Sequence, residues 1–290
     1  MLLAILPLFF SCGTLSPVSG LREKPPLQAK NIEEAFPLWE PLSGGVLGLD
    51  FYAGRILEPK LEFWAVRADL AKSNLRIIVS KSELSSYVTT FTEDYGCIAG
   101  INANPFDPVS DKEGEKRATV GIAVSDGILI SRPVSKYDAL YFYKSGTAAI
   151  AGQGGIGDVS QIENAVGGFY IVLENGRLSE RLLEQGAIRQ DMPRHPRSAA
   201  GLCREGKILY LLVVDGRRPG SVGATEAELG LLLKQLGCFN GLNLDGGASS
   251  VLALRYSDGK VRAVNTPIHN RIPGNQRGVA ACLGIALNER

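Results

Sequence analysis

Carboxylates and guanidiniums set among glycines are the raw material of anion-handling chemistry, and this 290-residue chain has its most suggestive arrangement of them between Arg194 and Leu254. The densest stretch is NLDGGASS, Asn243 to Ser250. There an apolar approach through Phe239, Leu242 and Leu244 meets one acid, two glycines and two hydroxyls. Gly246 and Gly247 carry no Cβ, so the chain can turn with positive φ and a ligand can come close to the backbone. Asp245 is expected at the mouth of a strand, with Ser249 and Ser250 offering hydroxyls before the apolar run 251–254. Read alone, the octet fits an Asp-Gly-Gly hairpin turn equally well.

What precedes it favours a site. ILYLLVVDG, Ile208 to Gly216, is an apolar run ending in an acid and a glycine, which predicts a buried strand with Asp215 at its carboxyl end. After the glycine-bearing turn 217–223, Thr225 can cap a helix over 226–236, with Glu228 as its capping-box partner and four leucines on one face. Asp215 and Asp245 are therefore expected to end neighbouring strands joined by one helix, two acids at one edge of a sheet. Arg197 lies beside the Asp215 strand, and a guanidinium can grip phosphate through two parallel hydrogen bonds. Arg277, in GNQRGVA, is a second candidate of that kind. His195, next to Pro196 and Arg197, reads either as a hydrogen-bonded structural residue or as a ligand contact.

The elements that must position these groups are mostly strands. Short alternating or apolar runs broken by turn residues fall at 61–67, 75–79, 97–102, 120–124, 128–131, 140–143 and 169–173. The 226–236 helix is the one strong amphipathic segment, and weaker ones fit 82–87 and 159–165. The expected fold class is α+β: a largely antiparallel mixed sheet with a few packed helices in a single domain over 46–290. GQGGIG, 152–157, lacks the Gly-Lys-Ser/Thr ending of a phosphate loop and reads as a turn.

PRSAAGL, VVDGR and ATEAELGLLLKQLGCFNGLNLDGGASS together resemble the phosphodiester glycosidase family, that of the mannose-6-phosphate uncovering enzyme and its bacterial relatives. Ser198 stands where the family pattern has Thr, and Ala248 where it has a third Gly. GINANPFDP resembles the family's GxNGxFF segment, with Asn102 matching and 104–106 departing. The resemblance covers about residues 46–288 in order.

It implies hydrolysis of a sugar 1-phosphodiester of the N-acetylglucosamine-1-phosphate type at the anomeric bond. The leaving phosphate is a stable anion that needs little protonation, so a cationic clamp matters more than the acid of an ordinary glycosidase. On that basis Arg197 and Arg277 are expected to hold phosphate, and Asp245 to face the anomeric centre. Asp215 or Glu228 would be the second carboxylate, Glu228 having the helix cap as its other reading. Asn102 would bind sugar hydroxyls or an N-acetyl group, and Ser249 with the amides near Gly246 and Gly247 would complete an anion pocket. No cofactor is required by this scheme, although Asp215, Asn243 and Asp245 are oxygen ligands of a type suited to a divalent cation. Two other readings stay open: a different glycan hydrolase or lyase on the same scaffold, and a non-catalytic glycan-binding envelope lipoprotein.

Composition bounds the partners. The 31 basic and 30 acidic residues give a net charge of +1, which offers no electrostatic case for nucleic acid or an anionic membrane surface. The apolar opening MLLAILPLFFS, followed by Cys12, is too short to span a bilayer and reads as an export signal over 1–12, with Cys12 as a lipidation site anchoring an envelope or periplasmic protein. Residues 13–45, rich in Pro and Ser, are expected to be a tether or an extended arm crossing the surface. Cys97, Cys203, Cys238 and Cys282 have no CxxC spacing, which argues against zinc and leaves buried free thiols or one of three pairings.

Overall fold

The computed structural model describes residues 27–35, 37–42, 48–72, 74–109, 112–184 and 192–288. Strands dominate, with three α-helices: α1 (Val88–Asp94), α2 (Glu180–Glu184) and α3 (Glu226–Leu236). The result is a sheet-rich α+β fold, as the turn-punctuated apolar runs imply.

The largest sheet has nine strands. Its central order is Leu49–Ile56, Leu61–Asp69, Ile208–Val214, Arg197–Leu202, Asn240–Asn243 and Tyr170–Glu174. The Ile208–Val214 strand shows why an unbroken apolar run belongs here. Leu209, Leu211 and Val213 enter one hydrophobic cluster, while Tyr210, Leu212 and Val214 enter another on the opposite face. A strand covered on both sides has no reason to alternate with polar residues.

The first cluster joins three sheets, since it takes Leu211 and Leu242 from the large sheet, Leu140 and Val166 from a five-stranded sheet, and Ile101 and Leu283 from a second one. The second cluster seats α3, through Leu229, Leu232, Leu233 and Leu236. Helix α3 has the bounds its sequence predicts. Thr225 Oγ1 accepts from Glu228 N at 3.2 Å, Thr225 N donates to Glu228 Oε2 at 2.9 Å, and Gly237 ends the helix at φ +104°. A cap of this kind is worth about 1 kcal/mol.

Two expectations change. The helix near 82–87 lies just beyond that stretch, at α1, where Val88 and Phe91 reach buried neighbours. The helix at 159–165 is only a 3-10 turn at Val159–Gln161. The chain then becomes a strand, Ile162–Gly167, because it fills the gap between Ala123–Ser125 and Asp138–Tyr143. Of the two readings of 13–45, the described part has the form of an extended arm packed on the surface. Leu27–Ala29 adds a parallel edge strand to Leu49–Ile56, Ile32, Ala35 and Leu42 are buried, and the Trp39 ring lies 4.8 Å from the Arg67 guanidinium and 5.9 Å from the Tyr210 ring. Cys12 and the apolar opening fall outside the described residues. Cys97, Cys203, Cys238 and Cys282 are free thiols.

Candidate active site

The Arg197–Leu202 strand is the axis of the site. Both its neighbours run antiparallel to it, with Arg197 opposite Val214 and Ala199 opposite Asn243. The start of this strand and the ends of the other two therefore share one sheet edge, which brings Arg197, Asp215 and Asp245 to the same side. The strands ending in Asp215 and Asp245 are not neighbours, however, because the Arg197 strand lies between them and α3 crosses it.

Beyond Asn243 the chain makes a bend fixed by backbone hydrogen bonds. Leu244 N donates to Ser198 O at 3.0 Å, Asp245 N to Ala103 O at 2.9 Å, and Gly247 N to Pro196 O at 2.8 Å. A Cβ on Gly246 would stand 3.1 Å from Pro196 O, and one on Gly247, at φ +64°, would stand 3.1 Å from the Arg217 guanidinium. Both glycines are thus set by close approach. Ala248 is tolerated because it lies inside the 3-10 turn Gly247–Ser249 with ordinary φ.

Asp245 is the acid at this bend. Burial pushes its carboxyl up to about 6, against the opposing pull of the Ser249 hydroxyl, the Arg277 guanidinium and the Gly246 N–H. Arg197 lies alongside, its Cδ 3.8 Å from where a Gly246 Cβ would be, with Nε donating to Ala224 O and Nη1 to Glu226 Oε1, each at 3.2 Å. Arg217 is exposed and held at φ +61°, a conformation uncommon for a residue with a side chain. His195 bridges to Ala224 through backbone bonds of 3.2 and 3.0 Å. Burial, then Arg197 and Arg217, push its imidazole below the ordinary range, so it is neutral near pH 7. The Tyr170 phenol meets Glu226 and is pushed up by burial and by that carboxylate.

Several expected ligands have other work. Asp215 is 1% exposed. Its Oδ1 accepts from Asn265 Nδ2 at 2.9 Å, its Oδ2 from Thr266 N at 3.0 Å, and Arg218 pairs with it, so it joins two loops and is not open to a ligand. Burial raises its carboxyl despite these bonds. Glu228 closes the α3 capping box and pairs with Arg194, which removes it as the second carboxylate. Asn102 is 0% exposed. Its Nδ2 donates to the Asp245 carbonyl at 2.6 Å, and its Oδ1 accepts from Ser198 Oγ at 2.7 Å and Val251 N at 3.2 Å. It holds the bend from beneath and has no face toward a sugar.

Arg217, Glu226 and Tyr170 are the site residues that motif reasoning passed over. Arg217 had a signal, the Arg after the strand-ending Asp-Gly. Glu226, first residue of α3, is aimed by the cap, whereas Tyr170 arrives only through its register with Asn243.

The description that matches this sequence, over residues 95–286, is phosphodiester glycosidase. The chain belongs to that family. Among curated proteins, the SPbeta prophage-derived uncharacterized protein YomE of Bacillus subtilis is 29% identical over 157 residues, which is 50% of this chain and 24% of YomE. The fold recurs in solved structures. A hypothetical protein from Synechocystis superposes with TM-score 0.64 at 16% identity, over 86% of this chain and 63% of that one. The catalytic domain of zebrafish N-acetylglucosamine-1-phosphodiester alpha-N-acetylglucosaminidase, auto-inhibited by its pro-peptide, gives 0.61 at 19% identity, over 91% and 87%. A putative exported protein from Burkholderia pseudomallei gives 0.55 at 14%, over 78% and 74%. The chain thus spans about a quarter of YomE and under two thirds of the Synechocystis protein, and the structural likenesses carry the fold.

Proposed function

We propose that this chain is an exported hydrolase that cleaves a sugar 1-phosphodiester, of the N-acetylglucosamine-1-phosphate type, at the anomeric carbon–oxygen bond of an envelope glycan or exopolysaccharide. The observation that carries the reading is the glycine bend itself: Asp245, its carboxyl held at about 6, feels the Arg277 guanidinium, Arg217 lies beside Gly247, and the Arg197 side chain, paired with Glu226, lies beside Gly246. The bond between the anomeric carbon and the bridging oxygen breaks, and its electron pair leaves with the phosphate monoester. Water oxygen bonds to the anomeric carbon and its proton passes to the Asp245 carboxylate. Arg197, Arg217 and Arg277 hold the departing phosphate, which needs no acid, while Asp245 also offsets positive charge developing on the sugar. Glu226 keeps Arg197 and Tyr170 in place. Attachment to a membrane belongs to Cys12, and among the described residues no helix is long and apolar enough to cross one.

The test is turnover of an N-acetylglucosamine-1-phosphate diester by the purified protein. Asp245→Asn should lower kcat by about a hundredfold or more, as loss of a positioned base does. Arg197→Ala should raise KM by about tenfold, and plain glycosides should not be cleaved. Unchanged rates in both variants would sink the assignment, and binding without turnover by the parent would favour a glycan-binding role.

A further inference from the structure

Next to Tyr170, at the start of the strand beside Asn240–Asn243, lie two aromatic residues that the hydrolytic reading does not use, Tyr137 and Phe169. Tyr170 lies opposite Asn243, two positions before Asp245, and Phe169 N donates to Asn243 O at 2.8 Å. The Tyr137 ring meets the Phe169 ring edge-on, with centroids 5.9 Å and planes 80° apart. Both are only part-buried. The pair is fixed by its backbone, since Asp138 Oδ2 accepts from Ile171 N at 2.7 Å and Gln153 N donates to Tyr137 O at 2.9 Å. Two exposed cations rim it. Lys136 Nζ stands 5.0 Å from the Tyr137 centroid, and the Arg181 guanidinium 4.9 Å from that of Tyr170. Arg181 Nη1 also donates to the Lys136 main-chain O at 3.4 Å, so the two residues adjoin.

Rigid aromatic rings left partly in water beside a reaction centre suit a ligand that is apolar on one face and polar at its edge, as a pyranose is. The C–H face of a sugar meets the negative face of the ring, and its hydroxyls stay hydrated. Glu226 contacts both Arg197 and Tyr170, and Tyr170 is the chain neighbour of Phe169. A substrate whose phosphate lies on the arginines can therefore extend over Tyr137 and Phe169. We propose that Tyr137 and Phe169, rimmed by Lys136 and Arg181, form a subsite for the sugar on the far side of the phosphate, and that this sugar belongs to an anionic glycan. The inference rests on the hydrolytic reading for its substrate.

Two substrates test it: a methyl diester of N-acetylglucosamine 1-phosphate, and the same diester carrying an acidic trisaccharide on its phosphate. The parent should show the lower KM for the second. Phe169→Ala and Arg181→Gln should each raise that KM about fivefold and leave kcat/KM on the methyl diester within twofold. Arg181 is exposed, so its variant reads the subsite without a folding risk. Equal losses on both substrates, or no preference by the parent, would overturn the subsite. If the parent cleaves neither, the hydrolytic reading fails, and calorimetric binding of the acidic diester decides the subsite alone: weakening by Phe169→Ala and Arg181→Gln upholds it, and no difference removes it.

Discussion

Asp245→Asn should make the protein more stable while making it inactive, and the size of the gain follows from where the carboxyl sits. Its ordinary value of 3.8 rises to about 6 in the folded chain. At ~1.36 kcal/mol for each pH unit, that is about 3 kcal/mol, an upper figure because the residue keeps some contact with water. The sign follows from proton binding. Between 3.8 and about 6 the folded protein holds a proton that the unfolded chain has lost, so stability falls as pH rises through this window, and the full cost stands above it. Asparagine removes the charge and therefore the cost. Urea unfolding of parent and variant at pH 8 should show the variant ahead by about 2–3 kcal/mol. The gap should close as pH is lowered through 6 and vanish below about 4. A difference that stays constant with pH, or a variant less stable at pH 8, would refute the account of a carboxylate held charged against its surroundings.

The same titration should appear in catalysis: kcat/KM should fall on the acid side with an apparent pKa of about 6, and the limb should be missing if Asp245 is not the base. Glu228→Ala should cost about 1 kcal/mol of stability through the lost α3 cap and leave kcat within about twofold, a result that a catalytic Glu228 would contradict. Asn102→Ala should destabilise by about 2–3 kcal/mol, since it strands the Ser198 hydroxyl and Val251 N–H, and should lower kcat more than it raises KM because the Asp245 carbonyl loses its anchor; an unchanged kcat would show that the bend holds itself.

Local chemistry was well written into this chain. Thr225, Glu228 and the leucines that follow define α3 to the residue, and the uninterrupted run 208–214 reads as a strand covered on both faces. The placing of Arg197 beside the strand that ends at Asp215 could also be anticipated, because PRSAAGL directly precedes that strand in the chain. What stayed hidden is non-local. No spacing says that the Arg197 strand inserts between those ending in Asp215 and Asp245. Nothing near Asp215 announces that Asn265 and Thr266, some fifty residues on, will take up its oxygens and turn a candidate catalyst into a loop fastener. Asn102 misleads for the same reason: an amide able to bind a sugar is equally able to bind three groups of its own chain, and only burial distinguishes them.

The sulfur atoms of Cys97 and Cys282 belong to adjoining strands, and each of these thiols, with that of Cys238, is driven up by burial, Cys97 to about 12. An alkylating reagent attacks the thiolate, so at neutral pH these three side chains are invisible to it until the strands part. The chain thereby carries its own clock: the rate at which label accumulates on them, with no probe attached, reports how often the middle of the molecule comes open.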